Sequence, residues 1–99
     1  MPVKPMPLSP ERIDAIATLA ARLFAGGGTL DAVVRAVREA NPDLKTVTGA
    51  MAAVMAEEPF REEAAFDLHL VDGNNHCWAI TDKPALATGV VIAQREEED

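Results

Sequence analysis

Apolar residues recur at helical spacing along the first two-thirds of the chain, and the rhythm then changes to alternation. Ile13, Ile16, Ala20, Leu23 and Phe24, flanked by Ala17 and Leu19, form the first helical stripe. Ser9 can cap this helix, Pro10 suits its first position, and Glu11 lies at the positive end of its dipole. Gly26, Gly27 and Gly28 end it, since glycine accepts the left-handed backbone of a helix C-terminus. A second helix is predicted from Thr29, a cap with Asp31 in the first turn. Its apolar stripe is Leu30, Val33, Val34 and Val37, and Asn41-Pro42 stops it. A third helix is predicted to begin between Asp43 and Thr46 and to end near Glu58, before Pro59. It would turn Leu44, Val47, Met51, Val54 and Met55 to the core.

Beyond Glu63 the period becomes two. Phe66, Leu68 and Leu70 alternate with Asp67 and His69, and Trp78 and Ile80 alternate with Cys77 and Ala79. Asp72-Gly73-Asn74-Asn75 between them is rich in residues that tolerate positive φ. A three-residue loop, Gly73 to Asn75, pairs Leu70 with Trp78 and Leu68 with Ile80. A one-residue slip exchanges the faces, so burial favours an odd loop length. Gly89 to Ala93 reads as a last short strand. The predicted fold class is therefore α+β, three N-terminal helices followed by a short antiparallel sheet. Residues 1–8 form a proline-interrupted lead-in, 9–95 a single domain and 96–99 an acidic tail.

Ninety-nine residues, 48% of them hydrophobic, can build one thin core. The net charge is −7, and Glu96, Glu97, Glu98 and Asp99 supply four of the negatives. Such a terminus reads as a solvated end, and the acidic body makes nucleic acid an unsuitable partner, because phosphate binding draws on clustered Lys and Arg. A single cysteine, Cys77, excludes an internal disulfide and multi-cysteine zinc motifs. Met1–Pro10 holds four prolines and no apolar run, so it reads as neither signal peptide nor anchor. No segment approaches the length of a membrane span, and a cytoplasmic location follows by default.

The predicted order of helix, short link, helix, tight turn, helix, strand, loop and strand resembles a winged helix-turn-helix domain. Thr29-Leu30-Asp31 opens helix two, Asn41-Pro42-Asp43-Leu44 is the turn, Lys45 to Glu58 takes the recognition-helix position, and Phe66 to Thr81 forms the wing. The resemblance covers roughly residues 10–81 and is one of pattern. It implies a DNA-binding regulator reading the major groove through helix three. That helix, however, contains no arginine and only Lys45 near its start, and the wing carries Asp72 and no basic residue, so the groups of base readout are missing. Asn75 to Thr81 also resembles part of small uncharacterised bacterial proteins associated with nitrogen-fixation gene neighbourhoods, which would imply an accessory role.

His69, His76 and Cys77 fall within one hairpin and carry metal-ligand chemistry. In the expected register His76 points away from the other two, so surface histidines and a small packed cysteine account for them better. As a nucleophile Cys77 would need a base and an electropositive setting, and its neighbourhood is acidic. Asp67, Asp72 and Asp82 have no calcium-loop or acid/base spacing and read as strand and turn residues. Gly26-Gly27-Gly28 lacks the Lys-Ser/Thr of a phosphate loop. Neither a catalytic residue nor a cofactor is expected. The remaining feature is a strip of small residues, Gly49, Ala52, Ala53 and Ala56, left on the predicted third helix once its core stripe is assigned. It suits close packing of another helix, either helix one of the same chain or a partner. The sequence thus points to a non-enzymatic protein-interaction or accessory domain, working through that face or a strand edge near Val71, Val90 and Ile92. A homodimer is its simplest form. A DNA-binding regulator and a metal or redox accessory protein are the alternatives.

Overall fold

The computed structural model of the chain describes residues 8–73 and 79–95. The first helix, α1, spans Pro10–Ala25, with Ser9 Oγ accepting from Arg12 N at 3.1 Å. It closes at the glycine run, where Gly26 N donates to Arg22 O and Gly28 N to Leu23 O. The second, α2, spans Leu30–Ala40, capped by Thr29 Oγ1 accepting from Ala32 N at 3.2 Å. Asn41 ends α2 and is buried. Its Nδ2 donates to Val37 O at 2.9 Å, and its Oδ1 accepts from Arg12 Nε at 3.0 Å. Arg12 also grips Asp43 through both outer nitrogens, which holds the Asp43 carboxyl below the usual range. One side chain of α1 thereby fixes the exit from α2.

From there the structure departs from expectation. Residues 46–51 form a strand, β1 (Thr46–Met51), followed by a 3-10 turn over Ala52–Val54 and irregular chain. The remaining strands are β2 (Arg61–Glu62), β3 (Phe66–Asp72), β4 (Ala79–Thr81) and β5 (Gly89–Gln94). The predicted third helix is absent, and with it the three-helix, winged-helix-like arrangement. The fold is α+β, with two helices followed by a mixed five-stranded sheet in the order β1-β5-β3-β2 and β4 also on β3. β1 runs parallel to β5 over six paired positions, Thr46 with Gly89 through Met51 with Gln94, and every other pairing is antiparallel. The spacing of Leu44, Val47, Met51 and Val54 satisfies a helical repeat by coincidence. Thr46, Val47 and Thr48 are β-branched and stiff at χ1, and Gly49 costs about 1 kcal/mol in a helix interior. The edge of β5 offers this segment a ladder, and Val54, which a third helix would bury, is 74% exposed.

The inner face of the sheet (Val47, Phe66, Leu68, Leu70, Val90, Ile92) packs against Ile13, Ile16, Ala17, Ala20, Val33, Val34 and Val37 of the helices. The rings of Phe24 and Phe66 lie 5.6 Å apart. Two glycines permit close approach. A Cβ at Gly49 would stand 2.9 Å from Val34 Cγ2, and one at Gly89 would stand 2.1 Å from Thr46 O. The first brings α2 down onto β1, and the second brings β1 up to β5.

The hairpin of β3 and β4 exists, but its register is not the expected one. Leu70 pairs with Thr81, Val71 with Ile80 and Asp72 with Ala79, leaving six residues, 73–78, in the connection. Leu68 lies between Arg61 and Ile92. Ile80 therefore shares a face with Val71 and His69, away from the helices. The odd loop length rested on one face being dry and the other wet. Here His69, Val71, Val91 and Ala93 on the outer face are buried as well, so burial does not select between the registers. Trp78, Asn74 and Asn75 lie outside the described residues, as do the lead-in up to residue 7 and the acidic tail.

Candidate functional site

The four small residues expected to form one helix face do not share a surface. Gly49 lies in β1 beneath Leu30 and Val34 of α2, Ala52 is half-buried and Ala53 exposed in the 3-10 turn, and Ala56 is exposed in irregular chain. The strand that replaced the helix has a property the helix lacked. β1 pairs with β5 along one side, and among the described residues no strand lies along its other side. Its sequence, Thr-Val-Thr-Gly-Ala-Met, contains no charge and no proline, the usual means of blunting an edge. Among the described residues a side chain meets this strand's backbone at Val47 O, which accepts from Arg38 Nη2 at 2.8 Å. Met51 and Val54 stand exposed at the end of the strand. The expected edge at Val71, Val90 and Ile92 is not one, because β3 and β5 are interior strands and all three residues are buried.

On the opposite side of the sheet, β2 and β4 run end to end along the same edge of β3. Between them opens a groove of about 480 Å³, lined by residues 57–60 on one wall and 80–83 with Leu86 on the other. Glu57, Glu58 and Asp82 give it a negative rim beside Lys83, and Phe60 and Leu86 are large apolar residues left exposed.

His69 lies level with this gap in register and is sealed, with 1% exposure. Among the described residues neither Nδ1 nor Nε2 has a hydrogen-bond partner. Burial pushes its pKa below the ordinary histidine value, against weaker upward pulls from the carboxylates of Asp67 and Glu57. Asp67 is itself held by Arg95 Nε at 2.8 Å. Of the hairpin's candidate ligands, His76 and Cys77 fall outside the described residues. Among the described residues no group of three or more His, Cys, Asp or Glu could hold a metal ion. Asp72 ends β3 half-buried, and Asp82 lies on the groove rim. No described helix is long and apolar enough to cross a membrane.

No family model, curated protein or solved structure matches this chain. The signal for β1 was present as the β-branched run Thr46-Val47-Thr48. The groove carried no periodic signal, because its walls are irregular segments and a strand of three residues.

Proposed function

We propose that this chain is a non-enzymatic binding domain that works by strand pairing along the outer edge of β1, with a second copy of itself as the simplest partner. The observation that carries this reading is a six-residue uncharged edge strand with no described strand on its outer side, where Arg38 meets Val47 O alone among the described residues. Such an edge presents a row of N–H and C=O groups to any extended segment, and main-chain hydrogen bonds then supply affinity. Met51 and Val54 add apolar contact at one end, and the net charge of −7 limits unspecific stacking.

Sedimentation over a wide concentration range tests the reading. Wild type should shift from 10.6 kDa toward twice that mass as concentration rises. Thr48→Lys, which places a charge on the half-buried outer face of the edge strand, should remain monomeric with an unchanged circular dichroism spectrum. A wild type that stays monomeric at high micromolar concentration would rule out the homodimer. One that dimerises equally well as Thr48→Lys would rule out the edge.

A further inference from the structure

The outer face of the sheet is closed differently from the inner one. Two helices cover Leu68 and Leu70. Across from them, the 3-10 turn Pro84–Leu86 packs on β3, and residues 57–60 of the connection 52–60 wall the groove that lies level with His69. Neither cover is held by a regular ladder. The described backbone bonds of the first are Leu86 N to Lys83 O and Ala87 N to Pro84 O, both within itself. The second is anchored at its far end by Phe60 N donating to Leu68 O, while Val54 and Ala56 stand in solvent. Segments of this kind open locally at a small fraction of the global unfolding free energy.

Beneath them lies a titratable ring with no hydrogen-bond partner among the described residues. A leucine of similar volume would fill the slot without two orphaned nitrogens, so the packing gives histidine no advantage. We propose that His69 is the trigger of an acid-released cover, whose protonation opens the 52–60 connection and the 84–86 turn. Release would open the outer face of β3, where His69 and Val71 are buried, beside the groove.

The charged groups acting on the imidazole are Asp67 on its own strand, already engaged by Arg95, and Glu57 on the connection. The cross-strand position on β5 is Val91, which offers no charge. At the level of β4, Asp82 and Lys83 line the groove. Of the two carboxylates that act on the imidazole, Glu57 lies on the piece of chain that moves, with Glu58 beside it on the groove rim. In the closed state burial outweighs both carboxylates, so the open form takes the proton first as pH falls. The closed state is fully favoured above the ordinary histidine value of about 6.5 and loses ground below it.

Amide exchange by mass spectrometry, corrected for the intrinsic pH dependence of exchange, reads this directly between pH 7.5 and pH 5.5. In wild type, peptides covering 52–60 and 82–88 should lose protection below pH 6.5 by up to tenfold per pH unit, while those of α1 hold theirs. His69→Leu should stay closed across the range, and His76→Ala should keep the wild-type response. His69→Gln, polar but not titratable, serves if the leucine variant fails to fold, and it should also lack the response. Wild-type protection that does not change with pH would overturn the proposal. So would a loss shared equally by α1, or a response retained in both His69 variants.

Discussion

Replacing Gly89 by alanine attacks the joint on which the corrected fold depends. A Cβ there would lie 2.1 Å from Thr46 O, 2.7 Å from Thr46 Cβ and 2.8 Å from Thr46 C. Non-bonded carbon contacts settle near 3.5–4.0 Å, and the obstacle is backbone, so the first residues of β1 must move away from β5 by about 1 Å. That motion breaks the start of the parallel ladder, including Lys45 N to Thr88 O at 2.9 Å. Two such bonds at about 1 kcal/mol each, with about 1–3 kcal/mol for overpacking, give about 3–5 kcal/mol. The stiffer unfolded chain of alanine returns about 0.4–1 kcal/mol, leaving a net loss of about 2–4 kcal/mol. A domain of this size has about 5–15 kcal/mol to lose, so the variant should fold, with its melting temperature lower by about 8 °C or more. Gly49→Ala is the internal comparison. Its Cβ meets the side chains of Val34 and Leu30, the latter half-buried and able to yield, and it should cost about 1 kcal/mol. Urea unfolding followed by circular dichroism, with equal m-values, measures both. A Gly89→Ala protein as stable as wild type, or less perturbed than Gly49→Ala, would refute the β1–β5 contact.

Three further outcomes are expected. Val54→Asp should change stability by less than about 0.5 kcal/mol, because the side chain is 74% exposed; a loss of about 3 kcal/mol or more would restore a helical core position there. His69→Leu should be more stable than wild type by about 1–3 kcal/mol at pH 7.5, since it removes two unpartnered buried nitrogens, and the gap should widen below pH 6.5 by at most about 1.4 kcal/mol per pH unit. Equal stability at both pH values, by chemical denaturation, would contradict this. Asn41→Ala should cost about 1–2 kcal/mol, because it strands Val37 O and releases Arg12 Nε at the α1–α2 junction; a neutral result would show that water replaces both bonds.

Both helices were legible because every local signal agreed. Ser9 and Thr29 cap, the glycine run and Asn41 terminate, and the apolar stripes contain the buried residues, with Leu23, Phe24 and Leu30 partly buried against them. β3 and β5 were legible as strands for the same reason. Residues 44–58 misled because spacing and alanine content favour helix while the β-branched run favours strand. The decision came from a partner forty-three positions away, Thr46 against Gly89, which no local window contains. The hairpin register misled because both faces of the sheet are dry, so alternation carries no inside–outside information. The small-residue strip failed with its helix. Among the described strands the open edge lies on β1, whereas β3 and β5 are interior. The groove was invisible because it is a gap between two short strands, made by topology and not by any run of residues.

The strand at residues 46–51 and its open side can be examined together by measuring amide exchange along β1 by NMR at low and high protein concentration. Protection of the β1 amides should rise with concentration while that of β3 and β5 stays constant, and nuclear Overhauser contacts should join Val47 to Val90. Concentration-independent protection in β1, or helical contacts between residues three and four apart across 46–55, would contradict the account.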